Sequence, residues 1–383
     1  MAKAPRAGAN ELQIYKGLDG VTVDTTAISR VMPETNSLTY RGYAVQDLCA
    51  RCCFEEVAYL LWNGELPTKS QLASFRRGER RRRELGKDHI AVIRRFPKSA
   101  HPMDTIRTAV SYLGTTEVAW GGEDPANDRR RALDLLAKIP TMIATDYRLR
   151  KGKRRIAPRT DLSMSENFLH MCFGAVPPKE VVRAFDISLI LYAEHSFNAS
   201  TFATRVITST RADMYSAVVG GIGALKGPLH GGANEAVMHM LLEIGSAAKA
   251  EPWLRKAFGD RRVVMGFGHR VYKWGDSRVP TMRKCLDDLS AWKGETRWTE
   301  IEDILQDIMV REKGIHPNLD YPAGPAYYLM GFDIDMYTPI FVMSRITGWT
   351  AHVMEQDANN RLIRPLSAYN GVAQREVAPI AER

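Results

Sequence analysis

Several features are missing from this 383-residue sequence, and each absence excludes a class of protein. No apolar run reaches the roughly 18–20 residues that a helix needs to cross a bilayer, so no membrane span is expected. The opening residues lack the apolar stretch of a secretory signal, and we therefore expect a cytoplasmic protein. No cluster of His, Asp and Glu has the spacing of a metal site, so neither a metal nor another cofactor is predicted.

Cysteine is scarce: five residues in a chain of this length are too few for a disulfide framework. Cys49, Cys52 and Cys53 form a C-x-x-C pattern with one extra neighbour. A zinc ribbon would need a second such pair, but Cys172 and Cys285 stand alone. We therefore interpret these residues as reduced thiols packed near the start of an amphipathic helix, in CARCCFEEVAYLLW.

The charge balance is basic, with 53 Lys and Arg against 44 Asp and Glu and a net charge of +9. Basic clusters lie at residues 76–83, 129–131 and 148–155. They alternate with helix-forming residues and not with aromatic ones, so we interpret them as solvated helix faces and loops. No nucleic-acid partner is expected, although a positive surface would steer polyanionic substrates.

The patterns that are present predict a mainly α fold with a small β element near the N-terminus. Two β-prone pieces, GVTVDTTAIS and SLTYRGYAV, are separated by turn residues. Helical spacing follows in FEEVAYLLW, PMDTIRTAVSYLG and PKEVVRAFDISLILYAEH. In the last of these, the residues expected to share one apolar face are Val181, Phe185, Leu189 and Tyr192.

Two histidines lie where helices are predicted to end or begin. His195 closes the long apolar helix, and Asn198 nearby suits a cap, so His195 is either a core residue or part of a cleft. His230 stands between glycines, just before a helix that begins near Ala233. The positive end of that helix disfavours imidazolium, and a neutral imidazole can donate a hydrogen bond to a developing enolate. The glycines upstream, in a predicted helix over 213–225, indicate either helix packing or a subunit seam.

A second glycine-rich segment, VVMGFGHRVYKWGDSR, places His269 directly after a G-x-G. The glycines allow a ligand to approach the backbone, and the cations that follow suit phosphates and carboxylates. Further on, Asp320 is predicted to lie in a proline-flanked loop before a short helix. Arg345 falls inside an apolar helix, so it needs an anionic partner, which could be a structural carboxylate or a substrate.

Four motifs in this order and spacing resemble the citrate synthase family: GPLHGGANEAV, GFGHRVYK with DSR, NLDYPAG, and RLIRP. YRGY at residues 40–43 adds to the resemblance, which runs from about Gly17 to the C-terminus. HPMDTIRT, EHSFNASTFATRV and MSRITGWTAH are most similar to the short bacterial 2-methylcitrate synthases.

The resemblance implies a role for each candidate residue. Asp320 would remove the acyl α-proton, His230 would hydrogen-bond the thioester oxygen, and His269 would polarise the oxaloacetate carbonyl. The residues implied to hold oxaloacetate are His195, Arg278, Arg345 and, from the partner subunit, Arg364. The residues implied to bind coenzyme A are Val264, Met265, Gly266, Phe267, Gly268 and Lys273.

A citrate synthase-like two-domain helical fold is implied as well. The large domain would comprise residues 1–231 and 332–383, and the small domain residues 232–331. An obligate homodimer would place Arg364 across the interface, with the helix over 213–225 at the seam. The site would lie between the domains, and oxaloacetate would close it before chemistry begins.

The expected reaction is a Claisen-type condensation of a short acyl-CoA with oxaloacetate, followed by thioester hydrolysis. Propionyl-CoA, and also acetyl-CoA, would give 2-methylcitrate or citrate and free CoA. The alternative is a citrate synthase that strongly prefers acetyl-CoA. Both stay open, because the two substrates differ by one methylene, which changes binding by only about 1–3 kcal/mol. Two further hypotheses are a non-catalytic CoA-binding relative and a nucleic-acid-binding helical protein. The presence of every candidate catalytic residue argues against the non-catalytic relative.

Overall fold

The computed structural model describes residues 13–116, 125–272 and 274–383. They fall into two compact units: the residues up to Thr25 together with Leu362–Arg383, and Thr26–Arg361. The first unit has two short 3-10 helices, Lys16–Leu18 and Ile380–Glu382. The second unit contains all the strands and α-helices that the structure describes.

Three short strands form an antiparallel sheet near the start of the second unit: β1 (Ser29–Met32), β2 (Ser37–Tyr40) and β3 (Tyr43–Ala44). The small β element is thus confirmed, but residues 20–28 of the first β-prone piece carry no strand. The turn that begins at Pro33 sets the register, because it pairs β2 with the four residues directly before it. That geometry leaves the earlier residues without a strand partner.

The rest of the second unit is helical, which confirms the mainly α prediction. The α-helices described are α1 (Val45–Arg51), α2 (Phe54–Asn63), α3 (Lys69–Arg80), α4 (Lys87–Arg95), α5 (Pro102–Thr115), α6 (Pro125–Arg150), α7 (Met164–Phe173), α8 (Lys179–Tyr192), α9 (Ala199–Ser209), α10 (Met214–Leu225), α11 (Ala233–Ile244), α12 (Ala247–Gly259), α13 (Val279–Lys293), α14 (Arg297–Lys313), α15 (Asp320–Met330) and α16 (Tyr337–Ala358). A 3-10 turn, Ile334–Met336, precedes α16. No described helix is long and apolar enough to cross a membrane.

Helix α16 lies at the centre of this unit. It is buried without a break from Tyr337 to Val353 and packs against α2, α6, α8, α9 and α10. A helix that is apolar all round is stable only when neighbours cover every face. The few polar residues on α16, among them Arg345, are therefore held in the interior.

The sequence periodicity gave the correct face of α8. Val181, Phe185, Leu189 and Tyr192 are all at most 1% exposed. Two glycines of α10 serve packing within the chain, since a Cβ at Gly220 would overlap Ile207 of α9 and one at Gly221 would overlap Thr204, whereas Gly223 faces open space. A role for α10 at a subunit seam stays a prediction.

The cysteines are free thiols near the α1–α2 junction or in the core. Cys53 is the N-cap residue of α2, in agreement with thiols packed at a helix start. One interpretation of the basic clusters was wrong. Arg83 is 1% exposed and not solvated, because Glu79, one turn earlier, binds its guanidinium at 2.8 and 2.7 Å.

Candidate active site

Asp320 is the first residue of α15, and not part of a loop before it as predicted. The hydroxyl of Tyr192, at the end of α8, donates to its Oδ1 at 2.7 Å, and its backbone N–H donates to Asn318 at 3.1 Å. Burial raises the pKa of Asp320 from 3.8 to about 6, although the Tyr192 hydrogen bond, Arg278 and Arg345 oppose the shift. The carboxyl group is therefore a stronger base than an ordinary aspartate, yet still ionised near neutral pH.

His269 lies in the loop between α12 and α13, after Gly266 and Gly268. Both glycines have positive φ angles, +83° and +82°. Asn318 ties this loop to the start of α15: its N–H donates to the Gly266 carbonyl at 2.8 Å, and its side chain donates to the Gly268 carbonyl at 2.9 Å. The same asparagine also accepts from Asp320, so the loop carrying His269 and the residue Asp320 share one anchor.

The protonation of His269 is set by its own turn. The N–H groups of Val271 and Tyr272 donate to Nδ1 at 3.1 and 3.2 Å, which leaves the ring proton on Nε2. Burial, and then the charge of Arg278, lower its pKa to about 4. His269 is therefore a neutral hydrogen-bond donor at physiological pH.

His230 follows α10 and precedes α11, as predicted. The backbone N–H of Ser200, in the first turn of α9, donates to Nε2 at 3.4 Å, and its Oγ lies 2.8 Å from the same nitrogen. Because an amide can only donate, this contact favours a proton on Nδ1. Burial, and then Arg345, lower the pKa of His230 to about 4. His230 is thus a second neutral imidazole with one nitrogen fixed by α9.

His195 lies just beyond α8 and is 7% exposed. Its ring centre is 5.1 Å from that of His269, and its buried Nε2 has no hydrogen-bond partner among the described residues. Burial, then Arg278, His269 and Arg345, hold its pKa well below the usual value. A polar atom buried without a partner is costly, so this nitrogen suits a ligand oxygen better than the core.

Two buried arginines complete the group. The guanidinium of Arg278 makes two hydrogen bonds to Asp276, at 2.9 and 2.6 Å, and a longer one to the Leu191 carbonyl at 3.4 Å. Arg345, 1% exposed on α16, donates through Nε to the Tyr192 carbonyl at 2.8 Å. Its buried Nη1 has no hydrogen-bond partner in the part of the chain described.

Phe341 of α16 joins the two sides of the group. Its ring centre lies 4.3 Å from that of Tyr192, which binds Asp320, and 6.2 Å from that of His230. The Arg345 guanidinium carbon is 4.8 Å from the centre of the same ring. The Phe341 ring therefore lies between His230, in the loop before α11, and Tyr192 of α8, whose hydroxyl bonds Asp320 of α15.

The segment predicted to bind coenzyme A runs beside this group. Val264 is buried, and Met265 and Phe267 are half-buried. A cavity of about 180 Å³ next to the segment is lined in part by Gly268, His269, Tyr272 and Asp276. Lys273 lies outside the described residues. Arg364 is exposed on the C-terminal segment, in the other compact unit, and its role across a dimer interface stays a prediction.

Sequence reasoning missed several residues that hold this group in place. Tyr192 was assigned only to the core, and the partners of the predicted residues were not found: Ser200, Asp276, Asn318 and Phe341. A local signal existed for Asp276, which lies two residues before Arg278, and for Asn318, which lies two residues before Asp320. Among the described residues no group of three His, Cys, Asp or Glu side chains could hold a metal ion.

Comparison with known proteins gives consistent matches along nearly the whole chain. A family model described as citrate synthase, C-terminal domain, matches residues 17–366. A 2-methylcitrate synthase of Mycobacterium tuberculosis is 58% identical over 362 residues, which are 94% of this chain and 92% of that protein. A citrate synthase of Mycolicibacterium smegmatis is also 58% identical, over 95% of this chain and 97% of its own.

A solved structure matches with similar completeness. It is the ternary complex of carboxymethyl coenzyme A and oxaloacetate with citrate synthase from the thermophilic archaeon Thermoplasma acidophilum. The TM-score is 0.92 at 34% identity, and the match covers 97% of this chain and 100% of the other. The mainly α architecture is therefore the same in both proteins.

Proposed function

Since the chain belongs to the citrate synthase family, we propose that its candidate active site joins a short acyl-CoA to oxaloacetate and then hydrolyses the thioester. The enzyme is an acyltransferase, and no cofactor takes part in the proposed reaction. Propionyl-CoA would give 2-methylcitrate, and acetyl-CoA would give citrate. The observation that carries the proposal is a buried carboxyl group with a pKa of about 6, grouped with two neutral imidazoles and an arginine whose buried Nη1 has no hydrogen-bond partner among the described residues.

Proton removal is the first step. Asp320 takes a proton from the α-carbon of the acyl group, and the electron pair moves onto the thioester oxygen. His230 donates a hydrogen bond to that oxygen through Nδ1–H, the nitrogen that Ser200 leaves open. A thioester α-proton is a very weak acid, so a raised carboxylate pKa and a waiting donor both lower the barrier.

Carbon–carbon bond formation follows. The enol carbon attacks the ketone carbon of oxaloacetate, and His269 donates to the developing alkoxide through Nε2–H. Arg345 binds a substrate carboxylate with its unpartnered Nη1, and His195 and Arg278 hold the rest of the molecule. Water then cleaves the thioester of the product and releases the CoA thiol.

The family also supports a proposal for assembly and motion. We infer a homodimer in which Arg364 of one subunit reaches oxaloacetate in the other, and coenzyme A bound by residues 264–268 and Lys273. Closure of residues 232–331 over the large domain would exclude water before proton removal. A cytoplasmic location stays a prediction from the sequence.

Free thiol release tests the reaction. Purified protein with oxaloacetate and propionyl-CoA should release CoA thiol in a stoichiometric, oxaloacetate-dependent manner. Asp320→Ala should lower kcat by at least about 10³-fold, because a positioned base contributes 10²–10⁴ and nothing replaces it. Asp307→Ala, at an exposed position of α14, is the matched control and should keep full activity. Retained activity in Asp320→Ala would remove Asp320 as the base.

A second candidate, a citrate synthase that strongly prefers acetyl-CoA, is favoured by the equal identity to the Mycolicibacterium smegmatis enzyme. The two functions differ by one methylene in the acyl pocket, which is worth about 1–3 kcal/mol, or about 10–200-fold. The ratio of kcat/KM for propionyl-CoA and acetyl-CoA decides between them. A ratio above one supports the methylcitrate function, and a ratio below about 0.01 supports the alternative.

A further inference from the structure

Glu194 is a fully buried carboxylate that the proposed condensation does not use. It follows α8 and directly precedes His195. Its Oε1 accepts hydrogen bonds from the Ser29 hydroxyl of β1 at 2.9 Å and from His352 Nε2 of α16 at 3.0 Å. Its Oε2 is buried and has no hydrogen-bond partner among the described residues. A buried carboxylate with one unpaired oxygen is costly, so its position needs an explanation.

The contacts of His352 show that this carboxylate is ionised. Nδ1 of the His352 ring lies 3.1 Å from Nη1 of Arg205, and a guanidinium can only donate. Nδ1 is therefore the acceptor, and Nε2 carries the proton that is donated to Glu194. Burial acts to raise the pKa of Glu194, but the interactions with its partners, His352 first and then Arg345, outweigh it, and the pKa is lowered. Glu194 therefore carries a negative charge at neutral pH.

Helix α16 has room for this carboxylate at one position. Arg345, Gly348 and His352 are spaced by three and four residues, so they lie on one face of the helix. A Cβ at Gly348 would overlap Oε2 of Glu194 and the Ala193 carbonyl. Glycine weakens a helix interior, but here the missing side chain lets the carboxylate approach the backbone of α16. The charge of Glu194 is therefore held against the helix that carries Arg345.

The charge of Glu194 acts on Arg345 without a direct bond. Burial lowers the pKa of Arg345, and Glu194 is the strongest of the charges that oppose this shift. No hydrogen bond or ion pair joins the two side chains within the described part of the chain, and Nη1 of Arg345 is unpartnered. The attraction therefore stabilises the charge on Arg345 and leaves that nitrogen free to bind a ligand.

The turn that carries His195 is fixed on both sides by the same groups. Before His195, the Tyr40 hydroxyl donates to the Glu194 carbonyl at 2.9 Å. After it, the Ser196 N–H donates at 2.9 Å to the Ser29 hydroxyl, which itself donates to the Glu194 carboxylate. The carboxylate therefore has a fixed position beside the residues proposed to hold oxaloacetate.

We propose that Glu194 is a positioning residue of the oxaloacetate site: its carboxylate is the permanent counter-charge of Arg345, and a bound carboxylate competes with it for that guanidinium. Like charges around one cation repel each other, so Glu194 weakens the binding of the dicarboxylate substrate and of the product, which has one more carboxylate. The repulsion favours release of the product after the thioester is cleaved. This inference rests on the proposed condensation.

Calorimetric titration of the full-length enzyme with oxaloacetate tests the sign of this effect. Glu194→Gln keeps the size of the side chain and removes its charge, so the Kd of oxaloacetate should fall at least about fivefold. The inhibition constant of 2-methylcitrate should fall as well, while KM for acyl-CoA stays within about twofold. Glu79→Gln, at another buried glutamate that pairs with an arginine, is the matched control and should leave the Kd of oxaloacetate unchanged.

A second variant and a second readout complete the test. Glu194→Asp withdraws the charge from Arg345 by one methylene, so the Kd should fall by a smaller factor, about twofold. At one fixed oxaloacetate concentration, the ligand should raise the Tm of Glu194→Gln by more than that of the wild type.

An unchanged or higher Kd in Glu194→Gln overturns the inference, and leaves Glu194 only the structural role of holding the turn of His195. Should that variant fail to fold, the same result in Glu194→Asp overturns it. A wild type that releases no CoA thiol and binds no oxaloacetate overturns the proposed function, and this inference with it.

Discussion

Two regions of the candidate active site each carry a buried arginine: the loop of residues 264–278 and helix α16. The two arginines differ in the partners that their guanidinium groups bind. In the loop, Arg278 has a carboxylate partner two residues away in Asp276. On α16, Arg345 donates to one carbonyl, and its Nη1 has no partner in the described chain. Burial lowers the pKa of both guanidinium groups, but Asp276 more than offsets this for Arg278, whose pKa is raised. The pKa of Arg345 falls to about 10.

Arg278 therefore stabilises the structure of the site, whereas the Nη1 of Arg345 can bind a ligand. The pair of Asp276 and Arg278 is also bonded to the Leu319 N–H at 3.2 Å, so it links the loop to the start of α15. An uncompensated buried charge is costly to the folded protein. We infer that Arg345 contributes most of its interaction energy only when a substrate carboxylate is bound.

The largest expected effect comes from removing the carboxylate partner of Arg278. Asp276→Asn leaves Arg278 buried without a counter-charge and should lower the free energy of unfolding by about 3–5 kcal/mol, measured by urea denaturation. Asp307→Asn is the matched control, because it breaks an Asp–Arg pair that is mostly exposed on α14. The control should cost less than about 1 kcal/mol. Equal losses in the two variants would contradict a structural role for Asp276.

Replacing Arg345 should have the opposite effect: a large change in substrate binding and a small change in stability. Arg345→Met should raise KM for oxaloacetate on the order of 100-fold, as expected for the loss of a charged hydrogen bond to substrate. It should change the stability of the free enzyme little, since the desolvation of the buried guanidinium and its attraction to Glu194 are lost together. Arg83→Met, at a buried arginine paired with Glu79, should instead lose stability and keep its KM. A stability loss in Arg345→Met, with KM unchanged, would contradict the comparison.

Asp320 allows a prediction in which stability and activity change in opposite directions. Its pKa is about 6 when folded but near 3.8 when unfolded, so the folded state holds the proton more tightly and its stability falls as pH rises between these values. Asp320→Asn should therefore gain about 2–3 kcal/mol of stability at pH 7 while losing turnover. In the wild type, kcat/KM should decline below pH 6 as the base becomes protonated. A pH-independent difference in stability between the two proteins would contradict the assignment.

The smallest effect concerns the hydroxyl of Tyr192. Tyr192→Phe removes the hydrogen bond that lowers the pKa of Asp320, so the acid limb of the kcat/KM profile should move to higher pH. Activity at pH 8 should change by less than about tenfold, because the base itself remains. Tyr327→Phe, whose hydroxyl binds Ser188 instead, is the control and should leave the profile in place. An unmoved limb in Tyr192→Phe would show that the hydroxyl does not act on the base.

Local patterns predicted much of this fold. The spacing of apolar residues gave the buried face of α8, and the glycines around His230 gave its position before α11. The surrounding apolar residues also identified Arg345 as a buried charge. These predictions succeeded because each depends on residues within one or two helical turns.

Contacts between distant segments were beyond the sequence pattern. The Tyr192 hydroxyl meets Asp320 across 128 residues, and Ser200 meets His230 across 30. Neither pair has a local spacing that indicates it. Arg83 was misread for a related reason: its carboxylate partner, Glu79, lies near the end of α3, and the distant carbonyl of Leu162 accepts from the Arg83 guanidinium. Burial of a charged residue depends on which other segment packs over it.

Hydrogen exchange at the acyl α-carbon tests the central claim most directly. With malate in place of oxaloacetate the cleft is filled but no carbon–carbon bond can form, so proton removal can be followed alone. In D₂O the wild-type enzyme should incorporate deuterium into propionyl-CoA, and Asp320→Asn should incorporate none above the rate without enzyme. Deuterium incorporation by Asp320→Asn at the wild-type rate would contradict the account.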